Sequence, residues 1–506
     1  MNDSESMASV VVASGRRRLI TGTVMLASIL QALDTTIANV ALPRMQGTMA
    51  ASQDQMTWVL TSYIVAAAIM TPLTGWLVDQ FGRKRLFLVS IIGFTITSAL
   101  CGMADTLGQI VAFRLLQGLC GAALVPISQA ILFDIYPRNQ HARAMSIWGV
   151  GVTMGPMIGP VLGGYLTDHL SWRWVFYINV PFGLLAALGV MIIFRRRDRQ
   201  RRPFDFFGFA TLSAAVGALQ LLLDRGSQQD WFNSSEIQIE ATVVVFAVFL
   251  FLVHSLTTRS PFIRVALFKD RNFVGGLVFI VLLGAVMFGS MALLPSMLQN
   301  LMGYSVLDAG LATFPRSIGN VLSMAGITVL MRGLGARTLI GLGFGLTAVS
   351  LWEMSHFSIT MGMSMIVWTG VLQGIGLGMT FIPATTFAFA TVPAIWRDEA
   401  TAVFSLARNM GASAGISLVQ ALLVRNTQVQ HAVLAGHLTA YQFDQLHRSL
   451  GHLPYRLLTV PALNAQITAQ ASMVAYIDDY RLMFYLVLLV MPLVLLLRAP
   501  ASRQLS

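Results

Sequence analysis

Charged residues are scarce in this chain. Asp, Glu, Lys and Arg make up 11% of its 506 residues, and 56% are hydrophobic. Soluble domains carry about 25% charged residues, so an ordinary water-soluble fold is excluded. Cysteine is almost absent. Cys101 and Cys120 both fall within apolar stretches, which argues against a disulfide framework or a cysteine metal site. No GxxxxGK[ST] phosphate loop occurs, so ATP is not the expected energy source and no cofactor is implied. Four of the eight histidines, His431, His437, His447 and His452, cluster late in the chain. Their spacing puts no neighbours on one helical face, and a metal site is not predicted.

What the chain does have is apolar stretches of about twenty residues, the length that crosses ~30 Å of hydrocarbon as a helix. They lie near 19–41, 57–78, 86–104, 108–133, 143–166, 173–194, 206–223, 239–256, 273–298, 308–331, 338–355, 363–389, 401–424 and 482–497. The expected fold is therefore an all-α polytopic membrane protein with fourteen spans. The start, GRRRLITGTVMLASIL, has the basic flank of a secretion signal, but its apolar run is too long and is read as an uncleaved first span. Lys and Arg concentrate on one side, above all in RRRDRQRR (195–202). The positive-inside rule then places residues 1–18 and 498–506 in the cytoplasm. The net charge of +11 reports this bias and contact with anionic lipid rather than nucleic acid.

Two segments break the rhythm of helices and short loops. Residues 195–272 hold the basic run and two spans. Residues 425–480 form a long external segment of mixed polarity, read as a solvated, partly helical loop. LLQGLCGAALVP (115–126) recurs loosely as LQGIGLGMTFIP (372–383). Such echoes mark the repeated halves of secondary transporters, whose sites lie between the halves near the bilayer midplane. The predicted organisation is a six-helix bundle over 19–194, an inserted pair within 195–272, and a second six-helix bundle over 273–497.

Residues 31–43 read QALDTTIANVALP, which puts Asp34 near the middle of an apolar run. A charge at that depth costs roughly 2.5–3.5 kcal/mol on insertion scales, and such residues mark functional sites. Gln31 and Thr35 extend a polar strip beside it. Burial disfavours an ionised carboxylate and a nearby guanidinium favours it; set against each other, they let a proton come and go. The alternative is a permanent Asp34–Arg114 bridge. The other carboxylates, Asp79, Asp134, Asp224 and Asp308, lie near span ends, and Asp308 suits a helix N-terminus.

In AFRLLQGLCGAALVP, Arg114, Gln117, Gly118 and Gly121 share one helical face. Arg114 is expected to find a buried partner, with snorkelling to an interface as the alternative. GWLVDQFGRKR (75–85) puts Asp79, Gly82 and Arg83 at a tight turn, and Asp134 is a further member of that charge network. In GVTMGPMIGPVLGGYL, Gly151, Gly155, Gly159 and Gly163 make a smooth stripe for close helix packing. Pro156 and Pro160 favour a bend there.

In this order the pieces resemble the major facilitator superfamily, and within it the fourteen-span drug/proton antiporters of the EmrB/QacA type. LDTTIANVALP, GWLVDQFGRKR, RLLQGLCGAA and GPMIGPVLGGYL are similar to its first-span, loop, fourth-span and fifth-span motifs. WRWVFYINVP (172–181) and DRG with DWF (224–232) further resemble EmrB-type proteins. The resemblance implies two six-helix bundles plus two inserted spans and proton-coupled efflux of amphipathic drugs or toxic compounds across the inner membrane. It also implies a periplasmic adaptor as partner; 425–480 is the expected docking segment, with a lid over the protein's own outer mouth as the alternative. A specific metabolite exporter or proton-coupled importer on the same fold is the alternative. Asp34 and Arg114 are expected to couple protons, and Gln31, Thr35, Gln117, Gln373 and Arg408 to face substrate. Asp79, Gly82, Arg83 and Asp134 are expected to gate. Arg316 and Glu353 receive no role.

Overall fold

The computed structural model describes residues 14–194, 203–258, 260–436 and 460–496. The basic run 195–202, the C-terminal residues 498–506, most of 1–18, and His437, His447 and His452 lie outside the described residues. Among the described residues there is no β-strand. The first half comprises α1 (Ser14–Met49), α2 (Gln53–Met70), α3 (Leu73–Phe81), α4 (Arg83–Met103), α5 (Leu107–Gly121), α6 (Leu124–Ile135), α7 (His141–His169), α8 (Trp174–Tyr177) and α9 (Asn179–Ile193). The inserted pair is α10 (Phe206–Arg225) and α11 (Ser235–Thr257). The second half comprises α12 (Arg271–Ser296), α13 (Val306–Leu334), α14 (Ala336–Met354), α15 (Met363–Ala388), α16 (Arg397–Gly436) and α17 (Val460–Val490).

Local sequence explains many of the boundaries. Ser52 caps α2 in a reciprocal capping box with Gln55. Asp270 caps α12 by accepting from the amides of Asn272 and Phe273. Pro72 cannot donate a backbone hydrogen bond, and α2 and α3 meet there at 59° as one bent pair. Gly82 closes α3 with φ of 80°, a conformation suited to glycine. By length and composition, nine of the described helices can cross a membrane, or ten if the bent pair is one span. Four further long helices, α13, α14, α16 and α17, lie among them. Length and composition alone leave the count of fourteen spans read from sequence unconfirmed.

The two halves repeat one packing scheme. In the first, α1 packs on α7, α2 on α5, and α4 on α5 and α9. In the second, α12 packs on α16, α13 on α15, and α14 on α15 and α17. The inserted α10 touches both halves. Its Gln220 donates to Ser413 at 2.9 Å and its Leu223 carbonyl accepts from Ser417 of α16 at 2.7 Å. Its Asp224 accepts from Thr61 of α2. By contrast, α11 leaves Val245, Phe246, Phe249 and Leu256 exposed, an apolar face suited to lipid.

The segment 425–480 is more regular at its ends than its polarity suggests. Residues 425–436 continue α16, and from Val460 onward the chain is α17. At 1.5 Å per residue the 40-residue α16 is about 60 Å long, twice the thickness of the hydrocarbon layer. The projecting parts stay paired, with His431 Nε2 3.0 Å from Asn464 Oδ1.

Candidate functional site

The site begins with the glycine stripe of α7, which lets that helix settle closely on α1. A Cβ added at Gly155 would stand 2.6 Å from the carbonyl carbon of Ala32 and 2.8 Å from the amide nitrogen of Leu33. Gly159 and Gly163 meet Thr36 and Ile37 in the same way. Pro156 and Pro160 both lie inside α7, which runs unbroken from His141 to His169. The stripe therefore fixes the two turns of α1 around Asp34.

Asp34 is fully buried, and so is Arg114 at 1% exposure. Arg114 Nη1 donates to Asp34 Oδ2 at 2.7 Å, so the arginine is paired and does not snorkel. The other carboxylate oxygen accepts from Gln117 Nε2 and from Asn179 Nδ2, each at 2.9 Å. Arg114 also donates Nε to the Val59 carbonyl at 3.1 Å and Nη1 to Gln117 Oε1 at 2.9 Å. Its guanidinium lies 4.2 Å from the centre of the Tyr63 ring, which favours the cation. Asn179 in turn donates to Ser98 Oγ at 3.0 Å. Two helices, α5 and α9, thus supply three donors to the one carboxylate of α1, with α2 and α4 behind them, and satisfy it where water is excluded.

Two sequence-predicted neighbours sit differently. Gln31 reaches the Tyr63 hydroxyl at 3.3 Å and is one step removed from Asp34. Thr35 donates to its own helix, at the Ala32 carbonyl, 2.8 Å away. Asn179 and Tyr63 were missed. The only hint of Asn179 was a polar side chain inside the apolar stretch 173–194, in FYINVP.

A second charge cluster lies at the end of the molecule that carries the Gly82 turn. Arg83 Nη1 donates to Asp134 Oδ2 at 2.6 Å. The same guanidinium grips Asp398 with two bonds, Nε to Oδ1 at 3.0 Å and Nη2 to Oδ2 at 2.7 Å. Arg397 Nη1 donates to Asp134 Oδ1 at 2.7 Å. Gly75 of α3 lies against Glu399, whose Cα would stand 2.9 Å from an added Cβ. Asp79 lies on α3 one turn before Gly82. Sequence reading confined this network to the first half. The structure carries it across to α16, because Arg397 and Asp398 begin that helix beside the α3–α4 turn. Nothing local pairs residues 315 positions apart.

Comparison with known proteins bears on this architecture directly. The model of the Major Facilitator Superfamily matches residues 24–416. The chain belongs to the major facilitator superfamily. Similar superfamily members include the multidrug export protein EmrB of Haemophilus influenzae, 36% identical over 85% of each chain. EmrB of Escherichia coli K12 is 37% identical over 82% of each. The fatty acid resistance protein FarB of Neisseria gonorrhoeae is 33% identical over 94% of this chain and 95% of its own. Among solved structures, the human organic anion transporter MFSD10 superposes with a TM-score of 0.60 at 13% identity, covering 93% of this chain and 99% of that one. That likeness shows the superfamily fold alone.

Within the superfamily fold the remaining residues fall in the second half. Gln373 of α15 is fully buried, and neither end of its amide has a hydrogen-bond partner among the described residues. Arg408 of α16 is half-buried and reaches Asn409 Oδ1 at 3.5 Å. Arg316 of α13 is buried and donates Nη2 to the Met287 carbonyl at 2.9 Å. Asp34 is also not the one deep carboxylate that sequence reading expected. Asp479 of α17 is fully buried, and among the described residues neither carboxylate oxygen has a hydrogen-bond partner. Its place inside a mixed-polarity segment hid the helix that carries it inward.

Proposed function

We propose that this protein exports amphipathic drugs or toxic compounds across the cytoplasmic membrane in exchange for protons, by alternating access. The observation that carries the reading is the Asp34 site, a carboxylate buried mid-helix and held by Arg114, Gln117 and Asn179. A carboxylate satisfied by three donors is stable when ionised, and a proton can replace the arginine as its partner when the surrounding helices move. Binding of substrate and proton is then coupled through one conformational equilibrium. The multidrug export relatives support the direction of transport, and FarB supports amphipathic cargo.

On this reading the Arg83–Asp134–Arg397–Asp398 network is the cytoplasmic gate. It ties the halves together and must open before cytoplasmic substrate can enter. Asp79 and Gly82 shape the turn that presents Arg83. Gln31, Thr35, Gln117, Gln373 and Arg408 are assigned to the substrate path. Both termini are placed in the cytoplasm. The projecting ends of α16 and α17, with the residues between them, are assigned to a periplasmic adaptor. Replacing 437–459 with a Gly/Ser linker should abolish adaptor capture and leave transport in vesicles intact.

The function is tested by accumulation of a fluorescent amphipath in inverted membrane vesicles. Accumulation should require an imposed pH gradient and collapse when a protonophore dissipates it. Accumulation indifferent to the gradient would contradict the proposal.

A further inference from the structure

The second half repeats the first in packing but not in its charges. Gly118 and Gly374 are the shared glycines of the two LQG segments. Gly118 of α5 lies against the carbonyl of Tyr63 on α2, and Gly374 of α15 lies against the carbonyl of Arg316 on α13. Tyr63 and Arg316 also stand equally far before two positive-φ glycines, Gly82 at 80° and Gly335 at 75°. Arg316 therefore occupies in the second half the place that Tyr63 holds in the first. The place of Arg114 is taken by Gly370, and an added Cβ there would lie 3.5 Å from Arg316 Cβ. The cation has changed helix, while its amide neighbour is kept as Gln373.

At the place of Asp34 the second half has no carboxylate. α1 supplies Asp34, but α12, its counterpart, contains no acidic residue. Arg316 makes one hydrogen bond, to the Met287 carbonyl, and among the described residues no carboxylate lies within ion-pair distance of it. The ionisable group that faces it is Tyr480 of α17. Asp479, next in sequence, makes no hydrogen bond to Arg316 among the described residues. α17 meets α12 nearby, where the Tyr476 hydroxyl donates to Ser296 at 3.1 Å. An unpaired guanidinium and an unpartnered amide are both costly to bury. Together they offer the donors that a carboxylate accepts from in the first half, including a planar fork suited to two oxygens.

We propose that Arg316 and Gln373 bind the carboxylate head group of an amphipathic substrate, whose anion takes the place that Asp34 fills in the other half. The proposal deepens the export reading by naming the head-group class, and it rests on that reading only for the word substrate. The test uses the full-length protein in nanodiscs with no pH gradient. Equilibrium binding is measured for dodecanoate, methyl dodecanoate and dodecylamine, which share one chain and differ in head charge. Wild type should bind dodecanoate most tightly. Arg316→Gln should weaken dodecanoate by about tenfold or more, the scale of one charge-assisted hydrogen bond, and leave the ester within about twofold. Arg316→Lys should recover part of the loss, and Gln373→Leu should weaken dodecanoate selectively. If Arg316→Gln fails to fold, Gln373→Leu and the wild-type preference for acid over ester decide the question. Equal binding of the three probes by wild type, or equal losses for all three in the variants, would overturn the proposal. Because binding is read without a gradient, selective binding in a protein that does not export would sink the export reading and leave this site standing.

Discussion

At the scale of the residue, Asp34 has three donors of unequal strength. Arg114 contributes a full charge, and Gln117 and Asn179 contribute neutral amides. Arg114 adds the attraction of opposite charges to its hydrogen bond, which the two amides do not. Arg114→Ala should therefore reduce gradient-driven efflux most, and Asn179→Ala should reduce it by less. Arg114→Lys should rescue poorly, since a lysine cannot serve Val59, Gln117 and Asp34 with one planar group. The rate of gradient-driven efflux by each folded variant checks the order. Asp34 and Arg114 were legible in sequence because each is a lone charge in an apolar run. Asn179 was not, because a neutral amide inside the stretch 173–194 has no charge to mark it until the fold brings it to α1.

At the scale of the element, the α1–α7 seam has almost no spare room at some glycines and ample room at others. Gly155 is closed by the Ala32 and Leu33 backbone, whereas Gly164 on the same helix meets nothing within 4 Å. Gly155→Ala should force the helices apart and destabilise the protein by about 1–3 kcal/mol, lowering its melting temperature in detergent. Gly164→Ala should leave that temperature nearly unchanged. The four-residue glycine period disclosed this seam, since close approach demands small residues at regular spacing. The helical content of 425–480 was harder to read. Its polar and apolar residues average to no clear hydropathy signal, and Asp479 is carried inward by a helix whose first half lies among polar residues.

At the scale of the whole molecule, the halves are joined at one end by Arg83, Asp134, Arg397 and Asp398. The side chains of Arg83 and Asp398 are about one-seventh exposed, dry enough for the two-pronged pair to have weight. Arg83→Ala and Asp398→Ala should each slow turnover while leaving equilibrium substrate binding nearly intact. In a double-mutant cycle on transport rate their effects should be strongly non-additive, because either change breaks the same contact. Additive effects would mean the residues act separately. The repeated halves were visible in sequence as a short echo. The contact between them was not, because it depends on where two distant helix ends meet.

The central claim is that Asp34 carries the coupling proton, and one measurement reaches it most directly. Wild type and Asp34→Asn are reconstituted into proteoliposomes, and substrate movement is followed with and without an imposed pH gradient. The substitution keeps nearly the same shape, so the variant should insert and still exchange substrate between equal pools at matched pH. It should lose the uphill movement that the gradient drives in wild type. Gradient-driven accumulation by Asp34→Asn at the wild-type level would contradict the account.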